Sequence, residues 1–543
     1  MPSSQDTYDT YESASNPLAP AEELMHWLTS TTIHLALGIA LGLFAARAMR
    51  ARHLRWSWAA VTLCAVLVGR SILGGSLVWT LGTAAFVAAA RGRRWHREDI
   101  DAGADLAAFA AGRSGPLDAL RRLTDGVRRL GQERDRETLS ASGRLLLGYD
   151  DGRRAVTIPL GGVAGGTHAL VLGATRSGKT VTMTRILVSA IGRGMGAIAI
   201  DPKGDGDLRR ALREAAAVAG RPFLEWTPSG PSIYNPYARG SETEIADKAL
   251  AGERFTEPHY LRQAQRYLGH EVRVLRRAGR EVSLRALVEH LDPSELEMLA
   301  RSLPESEAVR AHRYLDSLTA RQRSELTGVR DRLAILVESD VGCLLDPDAA
   351  GTDRIDLLEA MRARSVVYFS LESDRRPLLA QMLGAAIVQD LQAAVAVLQE
   401  RRAPTLVAID EFAAIAPERV VGLFARAGGA GISLVLGTQE FADLRLPGSE
   451  RVRDQIVGNL STLISHRQAV PASAELIASM TETIGVWKTS RHGDGGLTRT
   501  RMFEHALRAQ QITSLGQGRA AVIDLTGGGR ASIARIHSPH PGH

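Results

Sequence analysis

The stretch His168-Ala169-Leu170-Val171-Leu172-Gly173-Ala174-Thr175-Arg176-Ser177-Gly178-Lys179-Thr180 decides the fold. Its first half is a short apolar run that reads as a buried strand. The loop Gly173–Thr180 follows at once, and Val181 to Ile191 reads as a helix. Strand, glycine-rich loop, helix is the setting in which G-x-x-x-x-G-K-T cradles phosphate. The backbone N–H groups of Gly173, Ala174, Thr175, Arg176, Ser177 and Gly178, with the helix N-terminus behind them, face anionic oxygens. Lys179 is expected to reach the β/γ-phosphates and the Thr180 hydroxyl to ligate Mg²⁺, which makes ATP and Mg²⁺ the expected cofactors. Lysine occurs elsewhere only at Lys203, Lys248 and Lys488, in a chain that otherwise writes arginine. Its place in the loop therefore reflects the need for a flexible point charge on phosphate.

Downstream, Leu406-Val407-Ala408-Ile409 reads as a buried parallel strand ending in Asp410-Glu411. Asp410 at that carboxyl end can hold Mg²⁺, and Glu411 can polarise an attacking water. Ile432 to Gly437 is another buried strand, ending in Thr438-Gln439, where Gln439 can orient the water and report on the γ-phosphate. Ile198-Ala199-Ile200 runs into the rigid turn Asp201-Pro202-Lys203-Gly204-Asp205. The residues leave open whether Asp201 and Lys203 touch nucleotide or brace the turn. Leu145–Tyr149 and Ala155–Leu160 flank Asp150-Asp151-Gly152 as a hairpin. Between Glu242 and about Arg330 only helical periodicity is present, with Tyr260, Leu261, Ala264, Tyr267 and Leu268 on one face, and strand signals return at Ser365–Phe369. The fold class is α/β.

Upstream, a polar lead of 26 residues precedes Trp27–Ala46, an uncharged run long enough to cross a bilayer core of ~30 Å. Trp56–Gly69 is a shorter run and Ser71–Ala90 a third of full length. Arg47, Arg50, Arg52 and Arg55 follow the first run, and Arg91, Arg93, Arg94 and Arg97 close the region. Keeping both arginine clusters inside gives one span and a tight hairpin through 56–90, turning at Gly69, Gly74 and Gly75, whereas the two-span rival puts one cluster outside. This places the chain in the cell membrane with its ATPase domain in the cytoplasm. Leu117, Leu120, Leu123, Val127 and Leu130 then mark an amphipathic connector. Net charge is +6, a mild basic excess compatible with nucleic acid or acidic membrane and proof of neither. Cys64 and Cys343 form no disulfide framework or metal cluster and are expected to be inert core residues.

Taken together, the spans, the Gly173–Thr180 loop, Asp201-Pro202-Lys203-Gly204, Tyr234-Asn235-Pro236, Asp410-Glu411-Phe412, Gly431–Gln439, Asn459 and His466-Arg467 resemble the TraD/TraG-type coupling proteins of conjugation and type IV secretion. These belong to the wider FtsK/HerA group of ring-forming motors. The resemblance implies a RecA-like P-loop nucleotide-binding domain with an inserted all-helical domain and amino-terminal transmembrane helices. Its expected layout is a flexible lead over 1–26, a transmembrane region over 27–97 and a helical connector over 98–144. The ATPase domain would occupy 145–241 and 331–536, the insertion 242–330 and a tail 537–543. The resemblance further implies a homo-hexameric ATPase that pumps DNA, single-stranded in preference to duplex, with a relaxase or secretion-channel proteins as partners. Alternatives are an FtsK-like duplex translocase, whose carboxyl-terminal winged helix is not found, a protein-secretion ATPase, and a scaffold with a decayed site. Relatives tend to read Ala-Arg-x-Arg-x-Ala-Gly-Ile before the Gln strand, where this chain has Ala425-Arg426-Ala427-Gly428-Gly429-Ala430-Gly431-Ile432. Gly428 takes the second arginine position. Arg426 is left as the nearest candidate for the arginine that reaches a neighbouring subunit's site, with Arg467 as the other. Arg445, Arg451 and Arg453 could face DNA but read better as a solvated charged loop.

Overall fold

The computed structural model describes residues 19–51, 54, 56–71, 75–101, 143–152, 154–159, 161, 166–253, 255, 257–349, 353–399, 401–415, 417–444, 451–491 and 497–537. The amphipathic connector, the first part of the lead, Gly74, Arg445 and the tail from 538 lie outside the described residues.

Among the described residues fifteen strands are present: β1 (Arg144–Asp150), β2 (Ala155–Pro159), β3 (His168–Leu172), β4 (Gly196–Asp201), β5 (Phe223–Trp226), β6 (Ile233–Tyr234), β7 (Arg354–Ile355), β8 (Val366–Ser370), β9 (Thr405–Ile409), β10 (Ile432–Thr438), β11 (Thr462–Ser465), β12 (Thr483–Arg491), β13 (Leu497–His505), β14 (Arg519–Asp524) and β15 (Arg530–Ile536). Eleven make one sheet in the order β2-β1-β15-β14-β11-β3-β10-β9-β4-β8-β5. From β11 to β5 every neighbour is parallel, and β14, β15, β1 and β2 extend the sheet antiparallel. The parallel strands are apolar throughout because both faces are covered. Leu170, Leu172, Ile198, Ile200, Val407 and Ile409 pack on one face. Ala169, Val171, Ala197, Ala199, Leu406 and Ala408 pack on the other, under the helices Lys179–Gly192 and Gly206–Val218.

This is a mixed α/β architecture of the RecA-like kind, and its parallel strands deliver their carboxyl ends to one edge. The Gly173–Thr180 loop, the Asp201 turn, Asp410-Glu411, Thr438-Gln439 and His466-Arg467 all leave strands at that edge. Binding at the carboxyl ends of parallel strands is the general rule for such sheets.

Among the described residues between Glu242 and Val337 six helices form the insertion, and its last helix runs seven residues past Arg330. Ser241 with Glu244 and Thr319 with Gln322 make capping boxes, and Ser283 and Asp292 cap two further helices. Tyr267, Leu268, Leu284, Leu287 and Leu333 are fully buried within it. β6 and β7 pair in parallel to close its base. Lys248 anchors it: the buried ammonium donates to Asp390 (2.6 Å) and to the carbonyls of Pro236 (2.9 Å) and Arg239 (2.7 Å), satisfying all three of its protons.

At the amino terminus, helices span Ala19–Ala51, Ser57–Val68 and Gly75–Asp101. The first begins inside the expected flexible lead, because Pro20 suits a helix's first turn and Ala21, Glu22 and Glu23 are good helix formers. The third starts at Gly75 rather than Ser71, where a short 3-10 turn over Gly69–Ser71 ends the second. Gly38 and Gly42 are where the first and third helices meet. A Cβ at either would lie 2.7 Å from a carbonyl of the facing helix, Thr80 or Ala84. Small residues four apart allow this close approach. His34 Nδ1 and Thr80 Oγ1 share a hydrogen bond of 3.0 Å across the same seam. Among the described residues two helices are long and apolar enough to cross a membrane, Pro20–Arg50 and Pro377–Leu398, and the second is mostly buried in the core.

Both cysteines are exposed, contrary to the core placement expected for them. Cys64 lies on an apolar helix whose neighbours Val61, Leu67 and Val68 are themselves exposed, and Cys343 is turned outward by the tight turn Gly342–Leu345.

Candidate nucleotide site

The loop between β3 and its helix is shaped by neighbouring backbone. Gly173 N donates to the Thr438 carbonyl (3.2 Å), Ala174 N to that of Arg467 (3.1 Å), and Gly518 N to that of Ser177 (3.2 Å). Gly178 needs its lack of side chain, with φ at +109°, and Arg176 also sits in the left-handed region at φ 62°. A Cβ on Gly173 would lie 2.8 Å from that of His466. His466 braces the loop from below: Nε2 accepts from the Thr182 hydroxyl (2.8 Å) and Nδ1 donates to the Arg519 carbonyl (3.0 Å). Burial depresses its pKa to about 4, so the ring is neutral at physiological pH.

Lys179 opens the helix and crosses to β9. Its largely buried ammonium pairs with Asp410 Oδ1 at 2.8 Å and Glu411 Oε1 at 2.7 Å. Residues more than 200 positions apart thus meet because β3 and β9 flank β10. Glu411 Oε1 also receives Lys203 at 3.0 Å and stands 3.5 Å from Gln439 Nε2. Burial works to raise the Glu411 carboxyl, but Lys179 and Lys203 outweigh it and hold the group below its ordinary value. Glu411 itself has left-handed backbone (φ 43°, ψ 40°), a conformation that costs a non-glycine residue about 1–3 kcal/mol and collects at functional sites.

Thr180 follows Lys179 on the first turn of the helix, its carbonyl accepting from Thr184 (2.8 Å). Thr175 and Arg176 are exposed at the loop's crest. Ser177 Oγ is buried without a hydrogen-bond partner. Among the described residues no group of three or more His, Cys, Asp or Glu could hold a metal alone. One carboxylate and one hydroxyl beside a phosphate loop is nonetheless a donor set that fits Mg²⁺, which binds through one or two carboxylates together with phosphate oxygens.

Asp201 turns out to brace its turn. Oδ1 accepts from the Lys203 amide (2.9 Å) and Oδ2 from the Tyr368 hydroxyl (2.9 Å), while burial pushes the carboxyl up. Asp443 is a residue the sequence reading missed. Its Oδ2 accepts from Thr438 Oγ1 (2.7 Å), Gln439 N (3.1 Å) and Glu440 N (3.0 Å), fixing the turn that carries Gln439.

Arg426 is not brought to this cluster. It is exposed in the last turn of the helix Pro417–Ala427, which leads into the start of β10, so it stands at the opposite edge of the sheet. The seven residues of β10 put about 20 Å between those edges. Gly428 donates nothing to the loop, and its carbonyl accepts from Gly166 (3.0 Å) and Gly431 (3.1 Å). Arg467 is exposed directly beside the loop, through the carbonyl that holds Ala174. Arg453 pairs with Asp454 at 2.9 Å.

Residues 153–496 match the family described as the type IV secretion-system coupling protein DNA-binding domain. Among solved structures, the bacterial conjugative coupling protein TrwB in its unbound monoclinic form superposes with a TM-score of 0.55 at 16% identity, over 74% of this chain and 91% of that one. TrwB with a non-hydrolysable ATP analogue gives 0.53 at 15%, over 75% and 94%. TrwB with ADP and Mg²⁺ gives 0.53 at 16%, over 74% and 92%. At such identities the likeness is one of fold. No curated protein matches the chain.

Proposed function

The chain belongs to the type IV secretion-system coupling protein family, and from that premise we propose that it is a membrane-anchored ATPase that drives DNA into a conjugative or secretion channel. The observation that carries the reading is the convergence of Lys179, Asp410, Glu411 and Gln439 beside the Gly173–Thr180 loop.

Lys179 pairs with both acids. Phosphate arriving on the loop's amides competes for that ammonium, so Lys179 transfers to the β/γ-phosphates and frees both carboxylates. Thr180 and Asp410 would hold Mg²⁺, which would supply positive charge against the phosphate. Glu411, ionised and aimed from the tip of β9, polarises the attacking water while Gln439 orients it. The remaining charge on the transferring group calls for an arginine. Arg426, at the far edge of its own sheet, suits a role in a neighbour's site within a homo-hexamer, and Arg467 is the alternative.

The domain reading follows the same lines. The ATPase domain comprises 145–241 and 331–536, the helical insertion 242–330, and a connector 98–144 joins them to a membrane region over 27–97. Leu37, Ile39, Leu41, Leu43 and Phe44 are exposed on the first helix, as expected of a lipid-facing surface, and favour a cell-membrane anchor with the motor in the cytoplasm. The cargo is single-stranded DNA, delivered with a relaxase or channel proteins as partners and gripped mainly through its phosphates.

The test is ATP turnover by the full-length chain in detergent, with single-stranded DNA, duplex or neither. Turnover stimulated by single strands is expected, with Lys179→Ala reducing it about 10²–10³-fold, the scale of losing one preorganised charge contact. Stimulation by duplex alone would move the reading to a duplex translocase. Equal, negligible turnover by both proteins would sink the motor altogether.

A further inference from the structure

The turn Asp201-Pro202-Lys203-Gly204-Asp205 is absorbed by none of these roles. Asp201 commits both oxygens to it and to Tyr368 of β8. Gly204, at φ +79°, is pressed so close to β8 that a Cβ would lie 2.7 Å from Ser370 Oγ. The loop is therefore clamped between two core strands, and Lys203 projects from a rigid mount. Its ammonium, half exposed, lies 3.0 Å from the same Glu411 oxygen that Lys179 holds at 2.7 Å. An incoming phosphate competes with that oxygen for the Lys179 ammonium. When Lys179 leaves, Lys203 is the cation that stays beside Glu411, and Gln439 at 3.5 Å is too distant to hold it alone.

We propose that Lys203 is a positioning residue that keeps the Glu411 carboxylate in its strained left-handed placement at the tip of β9 after Lys179 has moved to nucleotide. This rests on the ATPase reading of the site. The charges of Asp410 and Asp374 act on Lys203 together with that of Glu411, which favours keeping its ammonium charged at this place. Without it, the carboxylate is free to rotate away from where water must be polarised.

The experiment compares the full-length chain with Lys203→Met, Lys203→Arg, Glu411→Gln and the Lys203→Met/Glu411→Gln pair. Lys203→Met is expected to lower kcat about tenfold or more while KM for ATP stays within about twofold, the signature of an interaction used in the transition state and not in binding. Lys203→Arg should restore most of the rate. A raised KM with unchanged kcat would instead make Lys203 a nucleotide contact and overturn the proposal, as would an arginine variant no better than methionine. A second measurement is independent of turnover: a double-mutant cycle on the melting temperature without nucleotide. Non-additive shifts for Lys203 and Glu411 are expected, and additive shifts would remove the contact itself. If the unmutated chain hydrolysed no ATP, the ATPase reading would fall, and the melting cycle would still decide whether Lys203 holds Glu411.

Discussion

Two lysines on one carboxylate oxygen are informative in a chain with only four lysines. The sequence marks Lys179 by its phosphate loop and Asp410, Glu411 and Gln439 by residue type at strand ends, but the contact among them depends on which strands are neighbours. Asp443 was illegible for a different reason. A carboxylate in a polar loop looks like any solvated aspartate until its three donors are seen. Because those donors are the hydroxyl of Thr438 and the amides of Gln439 and Glu440, Asp443→Ala should loosen the turn that aims Gln439. We expect kcat for ATP to fall roughly tenfold, a modest misplacement effect, with Asp443→Asn retaining most activity and nucleotide affinity little changed. Steady-state hydrolysis of the two variants checks this.

At the scale of elements, the helical insertion was readable from its periodicity, since Tyr267, Leu268, Leu284 and Leu287 face one core. What periodicity does not reveal is Glu271, on the helix Pro258–Arg277. It is fully buried, and both of its oxygens lack a hydrogen-bond partner. Burial drives its carboxyl well above the ordinary range, which favours the neutral form in the folded chain. The sign follows directly. The unfolded chain loses this proton near pH 4.5 and the folded chain keeps it, so this group's contribution favours folding in acid and weakens as pH rises above that value. Glu271→Met should therefore raise the melting temperature at neutral pH, by the equivalent of about 1–3 kcal/mol of removed polar burial, and flatten that part of the pH dependence. Melting curves between pH 4 and 8 test both statements, and a destabilised variant at pH 7 would mean that Glu271 has a compensating role. Lys248 makes the contrasting case: a buried ionisable group that is satisfied by Asp390 and two carbonyls.

For the whole molecule, the proposed homo-hexamer requires one subunit to complete another's site. Arg426 lies at the far edge of its own sheet and Arg467 beside its own loop, so the two make opposite predictions. If Arg426 acts in a neighbour's site, Arg426→Ala should lower turnover about 10³-fold or more, the scale of an arginine finger. Mixing it with inactive Lys179→Ala subunits should then recover part of the rate, because some interfaces pair an intact loop with an intact arginine. Hydrolysis by the mixed and unmixed proteins is the measurement, and no recovery together with near-normal Arg426→Ala would pass the role to Arg467. By itself the sequence determined what is local: the strand–loop–helix phosphate motif, the acid pair ending an apolar strand, the helical insertion and the apolar amino-terminal runs. Each is written in a few consecutive residues or one period. Only the tertiary structure decided that Lys203 and Lys179 share Glu411, that Asp201 braces a turn, and that Arg426 stands apart from the phosphate loop. Those facts follow from the order of strands in the sheet, which sets contacts between residues hundreds of positions apart and leaves no trace in any short stretch of chain.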